Sequence, residues 1–506
     1  MSGNKQFLKN LGVNGGNFIV KMLLGLALPP FLISQLGLSA FGIIQVAIST
    51  AAYAALLSTS LNQANNRFVS VCIVRKDWQE TSKVLTTIFI LYILALVIVL
   101  PCIIYISFNL TDFFNVDSEN VETASYMFLF VAISQVLVMF NTALSSPIYA
   151  NNRLDIIQGI NILRNALKVI LVFVTVLLIN ASLVSVGLAF LIAAIISTVI
   201  AFIAFKKFVP FYEFKLIDFD RERLKSVFNL SAWTGISVVG AMIFSQTDII
   251  LINVLLGAEK AGEYAILVQW SVLLISVSTI LSGVIAPNIL IEYANKNIEK
   301  LKGILYQSIR YQGVFSAFAS AMVFVYADVI LKLWVGEQFD YLAPYLRVMV
   351  IHFGVSLAFR QIYTLNTAFN KMKFQGITTI LFGGLHIIIS VVLLKFTDIG
   401  IMAVIISGAV IYFILHVIVL PLYAVGYLKD SLKNMYLNVI PSLITISLVC
   451  VVGYIIKILI VPGSWMALTL SLVLTFVMVL VAIFYLVVTK EERMNVLKMY
   501  HKRFGK

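Results

Sequence analysis

The sequence predicts an all-α polytopic membrane protein, and three observations carry that expectation. Hydrophobic residues make up 61% of the 506 positions and charged residues only 12%, with a mean hydropathy of +1.01. Soluble domains run nearer 45–50% apolar and about 25% charged. Uninterrupted apolar runs of about 20 residues recur along the whole chain, each long enough to cross a hydrocarbon core of about 30 Å as a helix. Lys and Arg fall almost wholly in alternate connections between those runs, as cytoplasmic loops require. The alternating half-apolar strands of an outer-membrane barrel are absent.

Fourteen spans follow in order. The first, 11–34, comes after Lys5 and Lys9 but is too long for a signal-peptide core and lacks an A-x-A site, so it reads as an uncleaved helix. Pro29-Pro30 near its outer end is expected to kink it or break its hydrogen-bond ladder. Span 41–63 opens on "LGLSAFG" and closes on the basic "LNQANNRFVS". Spans 84–107 and 123–146 flank the longest outer loop, about 108–122, and spans 160–180 and 185–205 lead to Lys206-Lys207. Then come 231–256, 263–286, 304–326, 343–368, 375–395 and 399–420, and finally 437–459 and 464–488. With the N-terminus inside, 29 of the 36 Lys and Arg lie on the inner side, and the alternation holds to the last residue. A missed or extra helix would invert it from that point on. Both termini are therefore expected in the cytoplasm, and the net charge of +13 reflects topology and anionic inner-leaflet lipid rather than nucleic acid.

The chain also repeats itself. "LGLSAFG" at 36–42 returns as "LGAEKAG" at 256–262, an offset of 220. The basic "RKDWQETSK" at 75–83 falls on "NKNIEKLKG" at 295–303, and "IIQGI" at 156–160 resembles "KFQGI" at 373–377. Two six-helix copies are expected, 1–205 and 231–425, as pseudo-twofold lobes. An amphipathic cytoplasmic linker (206–230), which includes "YEFKLIDFDRERLKSVF", joins them, and residues 426–506 add two further helices and a basic tail. Six is even, so the copies enter the membrane from the same side and are related by an axis along the membrane normal.

No nucleotide, zinc or redox motif appears. Cys72, Cys102 and Cys450 are scattered, without disulfide or metal spacing. Asp117-Ser118-Glu119 in the outer loop reads as a solvated acidic turn rather than a metal site. The chain is built to move something rather than to transform it, and no cofactor is implied.

Ionisable groups deep in a span cost a few kcal/mol and usually face a cavity or a partner. Lys21 lies near mid-depth of the first span, where it either lines a cavity or snorkels or pairs structurally. Asp248, in "FSQTDIILIN", is the clear acid within a span; it either pairs with Lys21 or carries a coupling H+ or Na+. Arg360 is again near mid-depth, and its planar fork suits a phosphate. Gln158, Asn161, Arg164, Asn165 and Lys168 form a polar stripe entering the fifth span, lining a vestibule or resting at the headgroups. His386 and His416 rank second, since a lone mid-span His more often serves helix packing. Taken together, Lys21, Arg360, Arg164 and Lys168 outweigh Asp248, and a positive cavity in low dielectric favours an anionic, phosphate-bearing cargo.

"LPPFLISQLGLSAFG", "LNQANNRFVS", "DIILINVLLGAEKAGEYAI" and "ILKLWVGEQFDYLAPYLRVMVI" (330–351) resemble the oligosaccharide flippases, the O-antigen flippase (Wzx) and polysaccharide-export branch of the multidrug/oligosaccharidyl-lipid/polysaccharide exporter superfamily. The resemblance spans roughly residues 8–425. It implies two six-helix lobes around a central cavity and alternating access. It also implies an undecaprenyl-diphosphate-linked oligosaccharide, an O-antigen or capsule repeat unit, carried from the inner to the outer leaflet of the bacterial cytoplasmic membrane. Polysaccharide polymerase or assembly proteins would be its partners. Many O-antigen flippases have twelve spans, and extra C-terminal spans occur in lipid II flippases. Two rivals stand beside this reading: a cation-coupled multidrug exporter of the same fold, and a membrane glycosyl polymerase or ligase.

Overall fold

The computed structural model describes residues 25–486 together with Gly16, Val20, Met22, Leu23 and Arg493. All regular structure among these residues is helical. Among the described residues twelve helices are long and apolar enough to cross a membrane, from Trp78–Phe108 to Trp465–Tyr485, and they coincide with the third to fourteenth expected spans. The expected second span is a single helix, Leu38–Val74, bent by 42° between Tyr53 and Ser58. The first falls mainly outside the described residues; its described part is the apolar helix Gly25–Leu36, which continues through Pro29 and Pro30.

The helices are labelled α1 (Gly25–Leu36), α2 (Leu38–Val74), α3 (Trp78–Phe108), α4 (Val121–Ala150), α5 (Leu154–Leu178), α6 (Leu183–Phe208), α7 (Arg221–Leu256) and α8 (Ala258–Ala294). They continue as α9 (Ile298–Trp334), α10 (Ala343–Ile351), α11 (Gln361–Ala368), α12 (Met372–Phe396), α13 (Met402–Phe413), α14 (Leu420–Leu428), α15 (Ile440–Ile460) and α16 (Trp465–Leu486). They group into two compact units. One holds the chain up to Ile266 with Gly376–Val404; the other holds Leu267–Gln375 with the chain from Ile405 onward.

In the first unit α2 packs on α4 and α7, α4 on α6, and α6 on α5. Leu85, Ile88, Tyr92 and Phe205 are fully buried in one cluster. The connection between α6 and α7 is pinned to that cluster: the Tyr212 hydroxyl lies 3.2 Å from Thr86 Oγ1, and Lys206 Nζ donates to the Tyr212 carbonyl at 3.0 Å. Helix α7 starts at Arg221, so the second half of the expected linker is helical. Asp117 of the outer loop accepts a hydrogen bond from Ser39 at the start of α2.

In the second unit α9 packs on α15, and α15 on α16. The Tyr326 hydroxyl lies 3.0 Å from Thr475 Oγ1 on α16 and donates to the Gly453 carbonyl on α15 at 3.3 Å. Asp328 accepts from Lys457 at 2.6 and 2.7 Å and from Arg347 at 3.2 Å. The last two helices are thus fastened to α9 by hydrogen bonds as well as by apolar contact.

Backbone geometry repeats with the sequence offset. Lys76 N bonds to Ile73 O and Asp77 N to Cys72 O; 220 positions on, Lys296 N bonds to Tyr293 O and Asn297 N to Glu292 O. Lys76 and Lys296 both sit at φ 58°. Each turn is a left-handed helix end whose six-to-one bond satisfies a terminal carbonyl. The next helix is then capped by Asp77 accepting from Glu80 N and by Asn297 accepting from Lys300 N. A third turn recurs at 218: Asn152 (φ 54°) and Asn370 (φ 55°), with Arg153 N to Ile148 O and Lys371 N to Asn366 O.

The two Leu-Gly turns also meet each other. Gly37 (φ 86°) and Gly257 (φ 96°) open α2 and α8 from the left-handed region. One turn later the helices cross at their glycines. A Cβ on Gly42 would fall on the Ala258 carbonyl and lie 2.8 Å from Gly262 N, while one on Gly262 would lie 2.5 Å from the Leu38 carbonyl. The contact is reciprocal: 38 and 42 touch 258 and 262 as 258 and 262 touch 38 and 42. Both obstacles are backbone and cannot rotate aside. Overpacking of this kind costs about 1–3 kcal/mol, more than the roughly 1 kcal/mol that Ala gains over Gly in a helix. Gly42→Ala and Gly262→Ala are each expected to lower the thermal midpoint in detergent. Gly159→Ala, whose Cβ would meet nothing within 4 Å, should leave it unchanged or raise it.

Between α14 and α15, Asp430 collects donors from three elements. The Tyr306 hydroxyl reaches it at 2.6 Å, Ser431 N at 2.6 Å, Asn434 Nδ2 at 2.8 Å and Lys302 Nζ at 3.4 Å. Burial works to raise its carboxyl, and these hydrogen bonds outweigh burial and bring it down from 3.8 to about 2. A lowered carboxylate stabilises the fold above its ordinary value and loses that effect as pH falls through the lowered one. Asp430→Asn should therefore reduce the thermal midpoint at pH 7, with the gap to wild type closing as pH approaches about 2.

Candidate functional site

The candidate charges among the described residues stand at three places, one on α5, one around Asp248 and one around Arg360. Helix α5 begins on a bidentate pair, Arg153 to Asp155 at 2.9 and 3.0 Å. The i, i+3, i+4 spacing then puts Asn161, Arg164, Asn165 and Lys168 on one face. Arg164 and Lys168 are half-buried, and neither has an ion pair among the described residues. Lys168 Nζ instead lies 4.2 Å from the centre of the Phe190 ring on α6, a cation–π contact. Asn165 Nδ2 is buried with no hydrogen-bond partner. Like charges at i, i+4 repel even in water, and burial removes the screening that would soften this. The face carries two cations and a spare donor, and among the described residues no carboxylate pairs with either cation.

Asp248 on α7 is buried, and both its oxygens are taken by donors. His386 Nε2 on α12 lies 2.7 Å from Oδ1, and the Tyr264 hydroxyl on α8 donates to Oδ2 at 2.7 Å. His386 is 1% exposed; its other nitrogen lies 3.4 Å from Ser390 Oγ, and its ring stacks parallel to Phe244. Two residues that the sequence marks separately, Asp248 and His386, thus form one cluster.

The segment carrying Arg360 is broken into α10, a short helix Phe353–Ser356, a 3-10 turn Leu357–Arg360 and α11. Arg360 lies within reach of the Tyr412 hydroxyl. Tyr412 stacks on His416 with ring centres 3.8 Å apart. His416 Nε2 lies 2.9 Å from the Tyr363 hydroxyl and Nδ1 lies 2.9 Å from the Tyr412 carbonyl. A carbonyl only accepts, so Nδ1 carries the hydrogen and Nε2 accepts from Tyr363. His416 sits in a π-helical turn, Ile414–Val419, a feature common at functional sites. Its cause is local: Pro421 has no N–H for the Val417 carbonyl four residues back, and Tyr436 fills that carbonyl at 2.6 Å.

Lys21, and with it any pairing to Asp248, lies outside the described residues. Tyr264, Ser390, Tyr363 and Tyr412 were not legible as site residues, because a Tyr or Ser in an apolar run looks like packing. The one available signal is that each stands on a helix beside a buried ionisable group. No group of three His, Cys, Asp or Glu able to hold a metal occurs among the described residues.

The fold is shared with solved membrane proteins. It is similar to the lipid II flippase MurJ in an inward closed conformation, with 14% identity and a TM-score of 0.68 over 94% of this chain and 98% of that one. It is also similar to an inward-facing multidrug resistance MATE family transporter of the MOP superfamily, with 16% identity and a TM-score of 0.62 over 85% and 95%. The chain belongs to the family described as polysaccharide biosynthesis protein, which it matches over residues 7–290. A further relative, the "Uncharacterized membrane protein EpsK" of Bacillus subtilis (strain 168), is 26% identical over 505 residues and covers 99% of both chains, so its likeness includes the two C-terminal helices.

The Tyr436 bond to Val417 gives a test of the π-helical site. Tyr436→Phe leaves a buried carbonyl unpaired at a cost of about 1–3 kcal/mol. It should lower the thermal midpoint, whereas Tyr485→Phe on an exposed ring should not.

Proposed function

We propose that the protein is a flippase for a lipid-linked oligosaccharide. It carries an undecaprenyl-diphosphate-linked O-antigen, capsule or similar repeat unit from the inner to the outer leaflet of the bacterial cytoplasmic membrane. The observation that carries this reading is the pair Arg164 and Lys168, two half-buried cations one turn apart with no carboxylate partner among the described residues. A diphosphate would supply what that face lacks. Membership of the polysaccharide biosynthesis family supports the cargo class, and the likeness to MurJ supports the fold in which such a cargo moves.

In this reading Arg164, Lys168 and Asn161, with Arg360 and Lys21, hold the diphosphate and sugars while the polyprenyl tail stays in lipid. Fourteen spans form two six-helix lobes and a C-terminal pair, both termini are cytoplasmic, and the lobes alternate between inward- and outward-open states. Asp248, with His386, couples the cycle to an ion gradient, and His416 orders the aromatic surround of Arg360. The protein acts as a transporter, not an enzyme, and hands its cargo to polymerase or assembly proteins.

Deletion of the gene is expected to abolish the surface polymer and trap intact lipid-linked units on the inner leaflet. Units reaching the outer leaflet unpolymerised would point to a polymerase, and normal polymer to a drug exporter. Lys168→Glu and Arg164→Glu should each reduce polymer export by at least about tenfold, the effect of roughly 1.4 kcal/mol of lost binding. Unchanged export in both would remove α5 from the binding surface.

A further inference from the structure

The connection between α6 and α7 carries exposed apolar side chains of its own, outside the helices that cross the membrane. Ile217 is 91% exposed and Leu216 71%, and Phe211, Phe214 and Phe219 are exposed as well. Phe211 packs against another exposed ring, Trp78 at the start of α3, with ring centres 4.9 Å apart. We propose that this connection is an in-plane membrane anchor, with Phe214, Leu216 and Ile217 inserted into the boundary between headgroups and acyl chains of the adjoining leaflet. The anchor stands whatever cargo the protein carries.

Depth selects lipid over water as the partner of this patch. The connection is pinned to α3 at both ends: the Tyr212 hydroxyl lies 3.2 Å from Thr86 Oγ1, and Asp220 N donates to Thr87 Oγ1 at 3.2 Å. Thr86 and Thr87 are fully buried and lie about two turns beyond Trp78, the first residue of α3, or about 12 Å along the helix. The apolar run of α3 opens at Val84. Both pins therefore sit where α3 enters the apolar layer. The 3-10 turn Leu216–Asp218 keeps the segment between them short, so its side chains stay near that depth. Apolar patches rimmed by polar groups mark interaction surfaces, and aromatic rings gather at the membrane boundary.

Backbone and charge suit the same zone. Tyr212 N bonds to Val209 O, Asp218 N to Lys215 O and Phe219 N to Leu216 O, which turns inward donors that lipid could not satisfy. The charges on either side of Phe214 neutralise each other, with Lys215 Nζ 3.0 Å from Glu213 Oε2. Lys207 at the end of α6 and Arg221 and Lys225 at the start of α7 are exposed, where headgroup phosphates can meet them. Asp218, Asp220 and Glu222 offset these cations, so the apolar side chains rather than net charge carry the attachment, as in other segments that lie in the membrane plane. The leaflet then holds the connection from one side while Thr86 and Thr87 hold it from the other. The adjoining ends of α3, α6 and α7 are thereby tied to one depth.

The test uses the full chain in lipid nanodiscs, with Cys72, Cys102 and Cys450 replaced by Ala and a nitroxide attached at Phe214→Cys or, separately, at Ile217→Cys. Both labels should be relaxed more strongly by oxygen, which partitions into lipid, than by a water-soluble nickel chelate. A label at Ile98→Cys, on the exposed apolar face of α3, should behave in the same way. One at Glu222→Cys, exposed at the start of α7, should show the reverse preference. Nickel-dominated relaxation at either connection site overturns the anchor and returns the patch to water. Labels screened from both reagents also overturn it, since protein, such as a second copy of the chain, would then cover the patch. Ile217 is almost wholly exposed, so its variant should keep the thermal midpoint of the cysteine-free parent, and Phe214 supplies a second, independent site.

Discussion

A bilayer core offers no water, so each backbone N–H and C=O in it must find a partner within the protein. Much of this structure follows from that constraint. It makes the described regular structure helical, and it places the irregular backbone where side chains can answer for it. Left-handed turns at Lys76, Lys296, Asn152 and Asn370 close helix ends by returning N–H groups to terminal carbonyls. Where Pro421 withdraws a donor, Tyr436 supplies one from another helix. The π-helical turn beside it is therefore supported irregularity, and it brings His416 onto Tyr412 and Tyr363.

Charge obeys the same constraint with higher stakes. Asp328 and Asp430 are each answered by several donors and act as fasteners between helices. Asp248 is answered too, by His386 and Tyr264 from two other helices. Among the described residues, Arg164 and Lys168 are not answered by an acid. That graded satisfaction, from fully paired fasteners to unpaired cations, separates groups that hold the fold from groups that await something else.

The sequence made the helical class, twelve of the span positions and the internal offset legible, because hydropathy and loop charge are sums over many residues and survive local noise. It also marked Asp248, His386, Arg360, Arg164 and Lys168, since an ionisable group in an apolar run stands out by contrast alone. What it could not show is which of these meet. Asp248 and His386 are 138 positions apart, and no local pattern records that α7 and α12 bring them together. Tyr264 has no contrast with its surroundings at all. The Leu-Gly turns were visible as a repeat. That each is the other's packing partner is a tertiary fact, written only in the matching offset of the two glycines.

That reciprocity bears on ancestry. A contact in which position 38 meets 262 while 42 meets 258 is self-complementary: the same patch, used twice, faces itself. It is the isologous interface that two separate copies of a single half-length chain would form across a true twofold axis. Gene fusion of such a homodimer would inherit the crossing already made. In a fused chain the two glycines are separate positions, so each side of the self-complementary crossing can be substituted without the other.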